Sequence, residues 1–233
     1  MHITKNEMFK DVLFEYPRLA VAFQSKKEWD EMSENELWQE LCLCILSSNV
    51  PYELARSAFF QLLRKGYLQL RWIVSAPDSQ EMIANELAKP LYSPKRLNGS
   101  YRRYRFPNVR SKNICQAANI VSSDKDWLSE LLATSSSEEE VRDFLVANIP
   151  GLGLKQASHF LRNIKFSQQL AIIDSHVRSF LVRVGAAVES DAKAITPKDY
   201  LRLESRLQEI CSKYGLNISI ADMAIWRCMR REK

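Results

Sequence analysis

The stretch IPGLGLKQASHF at residues 149–160 constrains the fold more than any other part of the chain. It places a Pro-Gly-Leu-Gly tetrad between two runs whose apolar residues recur at helical spacing. Upstream, Ser136 and Ser137 precede Glu138, Glu139 and Glu140, a capped helix start with acid in its first turn. Val141, Phe144, Leu145 and Ala147 carry that helix's apolar stripe to Pro150. Downstream, Ala157, Phe160, Leu161 and Ile164 repeat an i, i+3, i+4, i+7 pattern. Gly151 and Gly153 can take positive φ and lack side chains, so the bend can be tight and its backbone can press on a ligand. The pattern predicts a helix-hairpin-helix. Its N–H groups and the start of the second helix suit a phosphate. An ordinary αα-hairpin with glycines for a tight turn reads the same.

The rest of the chain extends the helical expectation. Trp38–Ile45 reads as a buried helix running into SSNVP, where Pro51 can open the next helix. Val177, Phe180 and Leu181 repeat the helical spacing, with Gly185 just past the end. With 6 glycines and 46% hydrophobic residues in 233, an all-α protein follows. No apolar run reaches transmembrane length. The N-terminus, MHITKNEMFKDVLFEYPRL, lacks the layout of a signal peptide. Five cysteines without regular spacing suggest reduced thiols in an intracellular compartment. They are also too sparse near the C-terminus for an iron–sulfur cluster.

The net charge of +5 is concentrated. Lys89, Lys95, Arg96, Arg102, Arg103, Arg105, Arg110 and Lys112 fall in one window without an acid, among Tyr92, Tyr101, Tyr104 and Phe106. Three prolines and Asn98-Gly99 make this window loop-rich. A basic, aromatic-laced loop beside a phosphate-binding hairpin points to nucleic acid, with Arg103, Arg105, Arg110 and Lys112 on its backbone.

Two residues could carry chemistry. Lys155 lies in the first turn of the second hairpin helix, where the dipole disfavours an ammonium and favours the neutral amine of a nucleophile. A solvated lysine on a phosphate fits that position equally. Asp174, in AIIDSHV, is placed to cap the next helix. With one carboxylate oxygen so used, the other could stabilise an oxocarbenium-like transition state. His176 could reach a phosphate. In the last helix, with Ser219 as its cap, Asp222, Ile225, Trp226 and Met229 share a face. That face is either core or a pocket in which Trp226 stacks on a flipped purine and Asp222 accepts from its N–H groups.

These stretches resemble the helix-hairpin-helix DNA glycosylase superfamily. LWQELCLCILSSNVP and YRRYRFPNVRSKNI are similar to segments of the archaeal-type 8-oxoguanine DNA glycosylase/AP lyases. The resemblance covers roughly residues 36–185. It implies a bifunctional enzyme in which Lys155 displaces the base and forms a Schiff base, and Asp174 assists base departure. It implies backbone carbonyls of Ala147, Ile149 and Leu152 holding a monovalent cation (Na+ or K+), with no other cofactor. Asn49 would enter the duplex beside the orphaned base, Phe106 would act as a wedge, and the chain end, Lys233, would aid base recognition. The tail CMRREK departs from the family's tail. The expected architecture is two helical lobes, residues 30–166 and residues 1–29 with 167–233, the hairpin at the cleft between them. The expected partner is duplex DNA with an oxidised base or abasic site, bound by a monomer. A non-catalytic DNA-binding hairpin protein, or a clusterless enzyme for oxidised pyrimidines, would carry many of the same features.

Overall fold

The computed structural model describes residues 5–231 except Tyr92 and Ala194, with side chains from Phe9 to Arg230. The described chain is predominantly helical. The elements, in chain order, are α1 (Lys5–Gln24), α2 (Glu34–Ser47), α3 (Tyr52–Arg64), α4 (Leu70–Ser75) and α5 (Ser79–Leu87). After them come the strands β1 (Pro90–Leu91) and β2 (Arg102–Arg103), then α6 (Pro107–Val121), α7 (Trp127–Thr134), α8 (Glu138–Asn148) and α9 (Leu154–Asn163). The chain finishes with α10 (Ser175–Arg183), α11 (Pro197–Lys213) and α12 (Ile218–Arg231). Short 3-10 turns occupy Trp29–Glu31 and Glu189–Ala192. Among the described residues no helix is long and apolar enough to cross a membrane. All five cysteines are free thiols.

Two compact units divide the chain: Trp29–Phe160, and Met1–Glu28 with Leu161–Lys233. The second division falls inside α9.

In the Trp29–Phe160 unit, α2 is buried along most of its length because its apolar residues run continuously from Leu41 to Leu46. Trp38 is fully buried, and its indole N–H donates to the Leu68 carbonyl at 2.7 Å, which removes the cost of burying that donor. Ser33 starts α2 with a reciprocal capping box: its Oγ accepts from the Glu36 N–H and the Glu36 carboxylate accepts from the Ser33 N–H. Helix α7 has no side-chain cap of its own. The Glu34 carboxylate supplies one, accepting from the N–H groups of Leu128 and Ser129 at 2.7 and 3.1 Å.

The basic window adds an element that the sequence reading took as loop. β1 and β2 pair antiparallel, Pro90 opposite Arg103 and Leu91 opposite Arg102. The ribbon closes through Arg96–Gly99, where the Gly99 N–H donates to the Arg96 carbonyl at 2.9 Å. Periodicity cannot reveal such strands, because two residues carry no alternation.

In the other unit, α1 packs along α12, with Phe9 against Phe180 and Tyr214 at ring-centroid distances of 5.8 and 4.4 Å. Thr196 and Asp199 form the capping box of α11, with Pro197 at its first position. Helix α12 begins differently from the expectation. Asn217 caps it, accepting from the Ile220 N–H, while Ser219 is buried and turns its hydroxyl to the Ser167 and Leu170 carbonyls. The buried hydroxyl finds acceptors there that solvent would otherwise supply.

Candidate active site and nucleic-acid interface

The hairpin is built by α8 and the start of α9. Ser137 caps α8 through the Glu140 N–H, and the Glu140 carboxylate reaches back to the Ser136 N–H at 2.9 Å. The helix closes as the Ile149 N–H donates to the Leu145 carbonyl, and the Leu152 N–H then donates to the Ile149 carbonyl at 3.2 Å. Ile149 and Leu152 are buried and anchor the bend. Ala147 is exposed in the last turn of α8, where carbonyls lack intrahelical donors.

The two glycines differ. Gly151 has φ of +88°, and a Cβ there would collide with the Asn113 side-chain amide. Gly153 does not take positive φ, contrary to the expectation for both, and a Cβ on it would meet open space. The fold therefore requires glycine at 151 and tolerates a side chain at 153; the bare backbone at Gly153 leaves the surface open to a ligand. Gly153 also begins α9, its carbonyl accepting from the Ala157 N–H at 3.0 Å. Lys155 follows as the second residue of α9 and is half-buried.

Asp174 caps α10. One carboxylate oxygen accepts from the N–H groups of His176 and Val177 at 2.8 and 2.9 Å. The other lies 3.2 Å from His176 Nδ1. The expectation that capping leaves this second oxygen unengaged is thus corrected: a two-residue step at a helix start brings the imidazole back over the carboxylate. His176 also meets Trp226 edge-on, with ring centroids 6.2 Å apart, and Arg230 lies over the Trp226 ring at 4.8 Å.

The segment that delivers Asp174 is held by side chains that sequence reading did not connect. Ala171, Ile172 and Ile173 are buried without a strand partner among the described residues. Their N–H groups donate to the Glu204 carboxylate at 2.9 Å, the Asp222 carboxylate at 2.8 Å and the Tyr200 hydroxyl at 3.3 Å. The Tyr200 hydroxyl in turn donates to the Ala171 carbonyl at 2.7 Å. Three side chains from α11 and α12 replace a sheet neighbour (a buried N–H without a partner costs on the order of 1–3 kcal/mol). The Tyr200–Glu204 spacing of one helical turn is the only trace of this in the sequence.

Asp222, expected to accept from an extruded base, is engaged within the protein. It is 2% exposed, and besides the Ile172 N–H it accepts from the buried Arg162 guanidinium. Its oxygens brace the protein, so a base cannot use them while this arrangement stands. Lys233 lies outside the described residues.

Asn49 and Phe106 lie in the Trp29–Phe160 unit. Asn49 is exposed and has φ of +58°, a conformation Asn tolerates better than most residues, in the turn between α2 and α3. Phe106 precedes Pro107 at the start of α6 and is partly exposed. Arg105 and Arg110 lie over its ring at 5.0 and 5.6 Å. Arg103, Arg105 and Lys112 are exposed, and Arg103 also donates to the Ala88 carbonyl at 3.2 Å. Arg110 is the exception to the predicted phosphate contacts. It is 7% exposed and donates to the Ser48 carbonyl at 2.8 Å, because the first turn of α6 points its side chain inward to the end of α2.

A family model described as 8-oxoguanine DNA glycosylase matches residues 73–216. An 8-oxoguanine DNA glycosylase/AP lyase of Sulfurisphaera tokodaii is 35% identical over 193 residues, covering 83% of this chain and 81% of the relative. One of Korarchaeum cryptofilum, bearing the same name, is 31% identical over 196 residues, covering 84% and 81%. Among solved structures, the Methanocaldococcus jannaschii 8-oxoguanine glycosylase/lyase, in complex with a 15mer DNA containing 8-oxoguanine, superposes with a TM-score of 0.74. The two chains are 26% identical, with 96% of this one and 97% of that one covered. The 8-oxoguanine DNA glycosylase of Thermotoga maritima gives 0.71 at 28% identity, covering 95% and 93%.

Proposed function

This chain belongs to the 8-oxoguanine DNA glycosylase family, and we propose that it excises 8-oxoguanine from duplex DNA and nicks the strand through a Schiff base on Lys155. Lys155 supports this reading by its place: it stands in the first turn of α9, directly after a surface left open at Gly153. The helix's positive end favours the neutral amine there. The amine nitrogen bonds to the sugar C1′ as the glycosidic bond breaks and the base leaves. The C1′–O4′ bond then opens, O4′ taking a proton as the nitrogen gives up its own, and the imine so formed makes a C2′ proton acidic, whose loss expels the 3′ phosphate. Asp174 stabilises positive charge on the sugar during base departure. His176 fixes that carboxylate's direction as well as meeting the backbone.

The hairpin N–H groups hold phosphate, and the carbonyls of Ala147, Ile149 and Leu152 would hold a monovalent cation. The fit rests on Ala147 lying where α8 runs out of internal donors and on the bend at Gly151. A bound cation would supply positive charge toward the phosphate. Asn49 and Phe106 enter the duplex, and Trp226 offers a stacking surface for the extruded base. The protein acts as a monomer in a reducing intracellular compartment.

Duplexes carrying 8-oxoguanine or an oxidised pyrimidine, competing in one single-turnover nicking assay, test the substrate. The 8-oxoguanine strand is expected to be cut at least about tenfold faster, the lower end of what pocket contacts discriminate. Preference for the pyrimidine would overturn this assignment.

Neutralising Arg103 and Arg105 together should weaken binding to all duplexes alike. The slope of log Kd against log salt should flatten by about one per lost phosphate contact. A loss confined to one lesion would mean that these residues read bases.

A further inference from the structure

The residues proposed to open the duplex are tied together from behind. The C-terminal turn of α2 ends in carbonyls that have no partner within the helix, and two residues flanking Phe106 take them. Tyr104 is 4% exposed and its hydroxyl donates to the Leu46 carbonyl at 2.6 Å, and Arg110 Nη2 donates to the Ser48 carbonyl at 2.8 Å. Ser48 is the residue before Asn49, whose left-handed backbone throws its side chain outward. The same guanidinium lies against the Phe106 ring. Its Nη1 donates to the Asn113 side-chain oxygen at 3.2 Å in the amide orientation that satisfies both groups, and Asn113 packs under Gly151 of the hairpin.

Stability alone explains this arginine poorly. Among the described residues its Nε–H is buried without an acceptor, and a buried charge without a carboxylate partner is costly. What the planar fork supplies is geometry: one rigid group fixes a carbonyl, an aromatic ring and an amide at once.

Resting on the proposed insertion roles of Asn49 and Phe106, we infer that Arg110 is a positioning residue that holds both as one preset wedge, and that it makes no contact with phosphate. Opening a base pair costs free energy, and a wedge whose two side chains move independently returns less of that cost.

The test compares Asn49→Ala, Phe106→Ala, Arg110→Met, Arg110→Lys and the double variant Asn49→Ala/Arg110→Met. Single-turnover excision of 8-oxoguanine from a fully paired duplex is measured beside strand cleavage at an abasic site in an unpaired bubble, where no pair must be opened. Both Arg110 variants are expected to lose about tenfold to 100-fold on the duplex, the scale of a misplaced group, and about twofold or less on the bubble. Their salt slope should match wild type, and Asn49→Ala should cost little more in the Arg110→Met background, since the arginine acts through it. Equal losses on both substrates, full additivity, or a slope lowered by about one would each overturn the inference. Arg110→Lys keeps the charge and so covers the case in which Arg110→Met does not fold. Should Asn49→Ala and Phe106→Ala both behave as wild type, the insertion reading falls and takes this inference with it. Should they lose activity while the Arg110 variants do not, only the inference falls.

Discussion

Lys155→Ala is expected to give no borohydride-trapped adduct with an abasic duplex, and strand cleavage should fall by about three orders of magnitude or more. The trapping reaction reads the chemistry directly. Hydride adds to the imine carbon and makes the bond between Lys155 Nζ and the sugar permanent, so an adduct requires that this nitrogen reached C1′. Replacing the side chain leaves Gly151, Gly153 and the hairpin N–H groups untouched, and duplex binding should change by only about fivefold, as for loss of one charge–phosphate contact. An undiminished adduct in the variant would place the nucleophile elsewhere. No adduct with the wild-type protein would leave a hairpin that grips DNA without cutting it.

The second large effect lies away from the reacting atoms. Asp222→Leu should destabilise the protein by about 3–5 kcal/mol, because it strips the buried Arg162 guanidinium and the Ile172 N–H of the acceptor they share. For a chain of this size that corresponds to a midpoint lowered by roughly 10 °C in a thermal melt. The paired change Arg162→Met with Asp222→Leu should recover much of the loss, since well-packed apolar residues often replace a buried ion pair without penalty. If the paired change were no better than Asp222→Leu alone, the brace on Ile172 would matter more than the ion pair.

The pH dependence has a definite sign. Burial pushes the Asp222 carboxyl up to about 6, against the pull of Arg162 and of the Ile172 N–H. Because the folded value exceeds the ordinary 3.8, the group's contribution to stability is full below that value and is lost as pH rises through about 6. Between about pH 7 and pH 5 it therefore adds about 1 kcal/mol to the unfolding free energy. Urea titrations of wild type and Asp222→Asn at both pH values would show that increment as a difference in slope. Equal slopes would mean that Arg162 keeps the carboxylate ionised across the range.

The three side chains that hold Ala171–Ile173 mark where sequence reading stops. Asp174 was legible because Asp before a helical stripe is a local pattern, with the cap and the helix adjacent in the chain. Asp222 was legible only as an acid on an apolar face. Its partners, Arg162 and the Ile172 N–H, lie 60 and 50 residues away, and no periodicity links them. The same limit put Arg110 among the phosphate contacts. Composition shows an arginine in a basic window, while its burial depends on how the first turn of α6 faces the end of α2. The ribbon of Pro90–Leu91 with Arg102–Arg103 escaped notice because a strand of two residues has no alternation to detect.

What the amino-acid order alone determined is everything set within a few turns of the chain. That covers the helical class, the hairpin with its glycine bend, the lysine at the start of α9, the aspartate cap of α10, and the family they signify. These follow from spacing, capping and backbone freedom, which act between neighbours. The tertiary structure alone decided which polar groups are spent inside: Asp222 and Arg110 turned inward, Asp174 met by His176, Gly151 obligatory and Gly153 open. Burial is the reason, since a charge removed from water must find partners wherever packing brings them, and packing joins residues that the sequence keeps far apart.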